Sequence, residues 1–194
     1  MQEKNSKTKK KLIEVARELF AVRGKKDVTM NDIAEQSDKG RRTLYTYFKS
    51  KDDIYKAVIE NELKIIADAL TDISKKDIEP YDKLKTHIYA HLDSIKNAVT
   101  RNGSLRADFF KDIFEVERSR RKIDLIELAL IMNILKDGIE KGQFKNMDTE
   151  LISVVILNAL KGLEVPYIRQ NINSKVDINK VDVVEFIFNG IRER

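Results

Sequence analysis

The sequence predicts an all-α protein in which a small three-helix head is followed by a larger helical body. Three observations lead to this class. Apolar residues recur with a helical period in almost every segment of the 194 residues. No alternating strand pattern of useful length is present, and there are only 7 Gly and 2 Pro. Hydrophobic residues make up 42% of the chain, which is enough to fill a core.

The first 73 residues predict four helices. The first carries an apolar stripe from Leu12 to Phe20 and ends at Gly24. Thr29 is a suitable N-cap for a short second helix, and a third short helix begins at Arg41. Ser50 caps the fourth helix, whose first turn is acidic, as the helix dipole favours.

The remainder of the chain predicts further helices with short connections. Pro80 suits a first helical turn, whereas Pro166 is expected to kink or break its helix. These helices are expected at about 80–99, 104–115, 117–140, 148–172 and 177–193. The run 123–135 is apolar on most faces, which predicts a helix in the middle of a bundle.

Positive charge is concentrated in the first third of the chain. Residues 1–56 contain 15 basic and 9 acidic residues, whereas the remainder contains 22 and 23. A basic module joined to a neutral one suggests a polyanion-binding part and a second part with another role. A solvated helix face with a Lys-rich terminus would give the same pattern.

The sequence lacks the residues that several classes of function require. The chain contains no Cys, which removes disulfide scaffolds, thiol nucleophiles and the common structural zinc sites. No G-x-S-x-G, P-loop, dinucleotide or EF-hand motif is present, so we expect neither an enzyme nor a bound cofactor. No apolar stretch is long enough to span a bilayer, and we expect a soluble, cytoplasmic protein.

Residues 29–47 have the layout of a helix-turn-helix, in which the second helix enters the major groove of DNA. Leu44 and Phe48 are the predicted buried anchors of that second helix. Its predicted exposed residues are Arg41, Arg42, Thr43, Tyr45, Thr46 and Tyr47. Arg can read guanine edges through two hydrogen bonds, and Thr and Tyr can bind phosphates. Lys51, next to the Ser50 cap, adds a charge and helix-start amides for a phosphate.

This segment resembles the DNA-binding signature of the tetracycline-repressor (TetR) family of bacterial regulators. The matching elements, within about residues 8–60, are Thr29, Ile33-Ala34, Thr43-Leu44-Tyr45, Tyr47-Phe48, Ser50-Lys51 and Ile54. The resemblance implies that Thr29 donates to a phosphate and that Arg41 and Arg42 choose bases. It also implies contacts to the DNA backbone or nearby bases from Thr43, Tyr45, Tyr47 and Lys51.

The turn between the two short helices departs from the family pattern. The family usually has Ala-Gly, an apolar residue and Ser, whereas this chain has Ser37-Asp38-Lys39-Gly40. Asp38 must then adopt the geometry usually given to Gly, Lys39 must direct its charge outward, and Gly40 is a weaker cap than Ser. The changes add positive charge, so DNA binding remains the expectation.

The resemblance implies that the body binds a small-molecule effector. The candidate pocket residues are His91, Phe109, Phe110, Phe114, Met132 and Asn133. The alternative for each ring is ordinary core packing, and a buried Asn133 would need hydrogen-bond partners that a ligand could supply. His87 and His91 are four residues apart, a spacing that would place both imidazoles on one helix face, as a metal site needs. A pH-sensing role is a second possibility. The alternative is one core or pocket histidine and one surface histidine.

The last two predicted helices carry more apolar residues than one core can bury. Phe186, Ile187 and Phe188 are consecutive and cannot all face the same core. A two-fold helix-pair interface would bury the surplus, and the resemblance implies a homodimer through a four-helix bundle. The candidate interface residues are Val155, Leu163, Val183 and Ile187. The alternative is a C-terminal helix buried within its own subunit.

These observations predict a homodimeric repressor that a small molecule releases from a palindromic operator. We divide the chain into a DNA-binding domain (1–50), a connecting helix (51–73) and a regulatory and dimerisation domain (74–194). Activation, or regulation without a ligand, remains open. Two further alternatives are a sequence-indifferent nucleic-acid binder and a helical adaptor whose head does not bind DNA.

Overall fold

The computed structural model describes residues 2–103, 113–169 and 179–193, and the described chain is all-α, as predicted. Eight helices lie in these ranges. They are α1 (Gln2–Arg23), α2 (Met30–Gln36), α3 (Arg41–Tyr47), α4 (Lys51–Ser74), α5 (Pro80–Arg101), α6 (Ile113–Glu140), α7 (Thr149–Arg169) and α8 (Lys180–Ile191). No helix in the described part of the chain is long and apolar enough to cross a membrane.

Local sequence signals set several helix ends. α1 ends at Arg23 because Gly24 adopts a left-handed conformation, with φ of 80°. The amide of Gly24 donates to Phe20 O at 2.9 Å, which closes the last turn. α7 continues through Pro166 to its last residue, so the proline does not end the helix. The helix predicted at 104–115 lies mostly outside the described residues.

The chain divides into two compact units. The first unit contains residues up to Leu63 together with Ala98–Ser119, and the second unit contains Lys64–Asn97 and the residues from Arg120 onward. α4 begins in the first unit and ends in the second, and α5 does the reverse. The domain limits predicted at residues 50 and 74 remain a prediction.

Apolar side chains from α1 to α4 form the core of the first unit. Phe20 of α1, Ile33 of α2 and Leu44 of α3 are each 0% exposed. Tyr55 of α4 packs edge-on against Phe20, with ring centroids 6.0 Å apart. Helices of seven residues, such as α2 and α3, are unstable in isolation, so their order depends on this burial.

The core of the second unit takes side chains from α5, α6, α7 and α8 and from the loop after α6. Its buried residues are Leu84, Ile88, Ile131, Ile134, Leu135, Phe144, Ile156, Leu157, Leu160, Val184, Phe188 and Ile191. The ring centroid of Phe188 lies 4.1 Å from that of Tyr81 and 6.0 Å from that of Phe144. An isolated antiparallel bridge between Phe144 and Arg192 holds the chain end beside this loop.

Gly138 lies where the ring of Phe144 crosses α6. A Cβ atom at residue 138 would lie 2.0 Å from Cδ2 of that ring. The amides of Gln143 and Phe144 both donate to Gly138 O, at 2.8 and 3.1 Å. The loop after α6 therefore closes against a glycine because a larger side chain would occupy the space of the ring.

We predict that Gly138→Ala lowers the free energy of unfolding by about 1–2 kcal/mol. A Cβ 2.0 Å from a ring carbon calls for the upper part of the overpacking range, roughly 2–3 kcal/mol, against which alanine gains only ~1 kcal/mol in helix propensity. Chemical denaturation measures the change. Gly162→Ala is the matched control, because Gly162 also lies inside a helix, α7, and nothing lies within 4 Å of its added Cβ. Equal stability of Gly138→Ala and the wild type would contradict the packing described above.

Candidate functional site

α2 begins with a reciprocal capping arrangement between Thr29 and Asp32. Oγ1 of Thr29 accepts from the Asp32 amide at 3.2 Å. Oδ2 of Asp32 accepts from the Thr29 amide at 2.7 Å and from the Thr29 hydroxyl at 2.8 Å. These two hydrogen bonds, and then the charge of Arg23, lower the pKa of Asp32. A phosphate contact by the Thr29 hydroxyl would have to replace its bond to Asp32.

The turn after α2 reverses the chain through a left-handed residue. Asp38 has φ of 53°, which confirms the geometry predicted for this position. The amide of Asp38 donates to Glu35 O and the amide of Lys39 donates to Ala34 O, both at 3.1 Å. Gly40 then precedes α3 in an extended conformation and supplies no side-chain cap. The turn is thus fixed by backbone hydrogen bonds.

Two buried anchors hold α3, and the rest of the helix is open. Leu44 is 0% exposed and Phe48, which follows α3, is 4% exposed. Arg41 and Arg42 are exposed in the first turn, and Tyr45 is 45% exposed one turn later. The anchors therefore fix the helix through one face and leave two guanidinium groups on the other.

α4 begins with a second reciprocal cap. Oγ of Ser50 accepts from the Asp53 amide at 3.1 Å, and Oδ2 of Asp53 accepts from the amides of Lys49 and Ser50 at 3.0 Å each. The ammonium group of Lys51 donates to Lys26 O at 3.2 Å. The amides of Lys49 and Ser50 are therefore already bound, and Lys51 can offer its remaining donors to a phosphate.

The predicted DNA contacts differ in exposure. The exposed ones are Thr29, Arg41, Arg42 and Tyr45. The half-buried ones are Thr43, Tyr47 and Lys51. The ring centroid of Tyr47 lies 6.5 Å from that of the buried Phe48, so the tyrosine packs along the edge of the core.

A capped short helix, a tight turn and a seven-residue helix with an exposed cationic face define a helix-turn-helix DNA-binding protein. Residues 12–58 match the family model described as bacterial regulatory proteins, tetR family. The chain belongs to the tetracycline-repressor (TetR) family and is a DNA-binding transcriptional regulator. The family is non-enzymatic.

Relatives with low identity cover most of the chain. The HTH-type transcriptional regulator QacR of Staphylococcus aureus is 23% identical over 188 residues, which cover 94% of this chain and 97% of that protein. The HTH-type transcriptional repressor KstR2 of Mycolicibacterium smegmatis is 24% identical over 147 residues, 73% of this chain and 70% of that protein. The crystal structure of a transcriptional regulator from Cytophaga hutchinsonii matches with a TM-score of 0.76 at 21% identity and covers 94% of this chain and 97% of that one. This last likeness shows a shared fold.

Five charged or ionisable side chains form a buried network in the second unit. Oε1 of Glu127 lies 3.1 Å from Nε2 of His87 and 2.7 Å from Nδ1 of His91. Nε2 of His91 lies 3.2 Å from Oε1 of Glu164, as an ion pair. Arg120 donates to both carboxylate oxygens of Glu164, with Nη1 2.8 Å from Oε2. The two histidines and two glutamates are each at most 5% exposed, so the expectation of a surface histidine is wrong.

The pKa values of this network follow from its pairing. Burial by itself would lower the pKa of His91, but Glu127 and Glu164 raise it to about 9. Burial would raise the pKa of Glu127, but hydrogen bonds from His87 and His91 lower it to about 2. Burial would also raise the pKa of Glu164, but hydrogen bonds from His91 and Arg120 lower it. His91 is therefore an imidazolium between two carboxylates at neutral pH.

The sequence pointed to the histidine pair but not to its partners. The available signal was Glu127. It lies inside the apolar run 123–135, and a carboxylate that is buried there needs a charged or hydrogen-bonding partner. No group of three or more His, Asp or Glu in the described ranges is arranged to hold a metal ion. Nδ1 of His87 is buried and has no hydrogen-bond partner among the described residues.

The predicted pocket residues are only partly placed. Phe109 and Phe110 lie outside the described residues, as does the side chain of Phe114. Met132 is half-buried, but Asn133 is exposed, which corrects the expectation of a buried asparagine. Asn133 borders an open cleft of about 210 Å³, lined also by Ser74, Lys83, Leu130, Ile134 and Asp137.

The candidate interface residues divide into two groups. Val155 is 53% exposed on α7, and Leu163 is half-buried. Val183 and Ile187 of α8 are half-buried and pack against the core of their own subunit. Other apolar residues of α7 and α8 are exposed to a similar or greater extent, namely Leu151 (57%), Val154 (38%), Val181 (48%) and Phe186 (82%).

We predict that the protein loses stability between pH 6.5 and 9.5. The raised pKa of His91 stabilises the fold fully below its unfolded value of 6.5, and this contribution disappears as the pH rises through about 9. The loss should be on the order of 3 kcal/mol in the free energy of unfolding. Urea titrations across this pH range measure it.

His91→Gln should abolish most of that pH dependence and destabilise the protein at pH 6.5. His87→Gln is the matched control, because His91 keeps both carboxylate partners in that variant and still titrates. A wild-type free energy of unfolding that stays constant from pH 6.5 to 9.5 would rule out the buried imidazolium.

Proposed function

We propose that the protein is a homodimeric repressor that binds a palindromic operator and is released by a small molecule. The observation that carries the proposal is the exposed face of α3, on which Arg41 and Arg42 stand free of the core that holds Leu44. Residues in the first turns of a recognition helix are those that reach base edges in the major groove. An activator, or a regulator without a ligand, is the alternative. The protein would act in the cytoplasm, where its DNA lies.

Base reading and backbone binding would fall to different residues. Each guanidinium of Arg41 and Arg42 can bond O6 and N7 of a guanine together. Thr43, Tyr47 and Lys51 flank these arginines and would hold phosphates, which fixes the position of α3 without choosing a sequence. In the sequence-indifferent alternative the same two arginines would bind phosphates, so base preference is the property that separates the two functions.

Exposed apolar side chains on α7 and α8 support the homodimer. Phe186 is 82% exposed and Val155 is 53% exposed, so both leave apolar surface in contact with water in a single subunit. A second copy related by a two-fold axis would bury the same patches on both subunits. Its two α3 helices would then read half-sites with centres about 34–36 Å apart, one turn of DNA.

The buried network supports an effector site in the second unit. Nδ1 of His87 is a buried acceptor or donor with no partner among the described residues, and a polar ligand atom would satisfy it. α4 and α5 each have residues in both units, so a ligand that displaces them would act on the DNA-binding helices as well. A nearly complete switch needs roughly 5 kcal/mol of differential binding. The name of the relative KstR2 favours repression over activation.

We predict that Arg41→Ala with Arg42→Ala weakens operator binding and relaxes base preference at two positions of each half-site. Each bidentate contact contributes about 1–3 kcal/mol of discrimination. Selection of bound fragments from sheared genomic DNA defines the operator, and competition with single-base variants measures the preference. Equal loss on every duplex would instead favour a sequence-indifferent binder, and no loss would favour the adaptor.

We predict that Val155→Asp with Phe186→Asp converts the dimer to a monomer. Two carboxylates in an apolar interface would be buried without partners, which is strongly unfavourable. Sedimentation velocity at micromolar concentration measures the mass. Val22→Asp is the matched control, since Val22 is an equally exposed apolar residue, at 82%, on α1. A wild-type monomer would refute the homodimer, and an unchanged dimer in the double variant would place the interface elsewhere.

A further inference from the structure

We infer that the first exposed turns of α1 form a second phosphate-binding surface for the operator, supplied by Lys7, Lys9, Lys10 and Lys11. This inference rests on the proposed operator binding by α3. The four lysines lie immediately before the segment 12–58 that the family model matches. Their side chains are exposed, and no acidic residue lies among them.

One end of this lysine surface lies beside the turn that precedes α3. Nζ of Lys11 lies 3.4 Å from Oδ2 of Asp38, the left-handed residue of that turn. The Asp38 side chain is 88% exposed, so this is a surface ion pair. Such a carboxylate would repel a phosphate at the DNA-facing turn, and Lys11 offsets its charge.

The other end lies beside the residue that follows α3. Nζ of Lys9 lies 5.8 Å from the ring centroid of Phe48, which is buried and anchors the end of α3. α1 therefore approaches α3 at both of its ends, through Lys11 on one side and Lys9 on the other. A duplex lying against α3 would bring its sugar-phosphate backbone past these ammonium groups.

The chemistry of the surface fits a phosphate backbone better than a base edge. A lysine ammonium is a compact charge on a flexible stem, with three donors and no fixed plane. It binds phosphates without choosing a sequence, whereas Arg41 and Arg42 have the planar fork that reads guanine. The lysines should thus add affinity and salt dependence equally for all sequences.

Salt titration of DNA binding by the full-length protein tests this surface. In the proposed homodimer Lys9→Gln with Lys10→Gln removes four phosphate contacts, so the slope of log affinity against log salt should fall by roughly 3.6, about 0.9 for each phosphate lost. Affinity at physiological salt should fall roughly tenfold or more, equally on the operator and on a scrambled duplex. Single-base competition should give the wild-type preference.

The matched control is Lys122→Gln with Lys136→Gln, which removes the same charge from exposed lysines of the second unit. A slope as steep in the α1 variant as in this control would overturn the inference and leave the operator binding of α3 intact. A wild-type protein with no preferred site would instead defeat the proposed function. Circular dichroism melting of each variant establishes that it is folded.

A second variant separates DNA binding from a merely structural ion pair. Asp38→Asn tolerates the left-handed backbone and removes the carboxylate beside Lys11. Operator affinity should rise, and the salt slope should steepen by up to about 1.8, because one Lys11 in each subunit of the proposed homodimer becomes available to a phosphate. Adding Lys11→Gln should reverse both changes. If Asp38→Asn altered melting but not the salt slope, Lys11 would have only a structural role.

Discussion

The burial of Leu44 and Phe48 is the constraint on which the DNA-binding surface depends. α3 has only seven residues and no side-chain N-cap, so it lacks the length and the local hydrogen bonds to persist alone. Its two anchors reach a core that α1, α2 and α4 complete. Because one face of α3 is committed to this core, Arg41 and Arg42 project outward from it.

The charged groups described above are exposed to solvent in the first unit and buried in the second. In the first unit the cationic groups of α3 and the α1 lysines face solvent, where an ammonium or guanidinium keeps its hydration until DNA replaces it. In the second unit Glu127 and Glu164 are buried, and each must be paired because an isolated buried carboxylate is very costly. The pairing ties α5, α6 and α7 together. A ligand or proton that disturbs one member of the network would therefore act on three helices.

Local patterns in the sequence predicted the helix-turn-helix closely. The third helix was expected from Arg41 and occupies Arg41–Tyr47, and Asp38 adopts the left-handed turn geometry. The same approach was wrong for Asn133. α6 was expected in the middle of a bundle, yet Asn133 is exposed and Leu125 is 62% exposed. Composition indicates that a helix is apolar, but the packing of neighbouring helices decides which of its faces is covered.

By itself, the sequence determined the helices, their caps, the charge of the first unit and the signature of the family, because each of these arises from residues close together in the chain. Tertiary structure decided the network around His91. Glu127 is 36 residues away from it, and Arg120 and Glu164 are 44 residues apart. The approach of Lys9 and Lys11 to the two ends of α3 was decided in the same way. No local pattern encodes such contacts, since they depend on how whole helices pack.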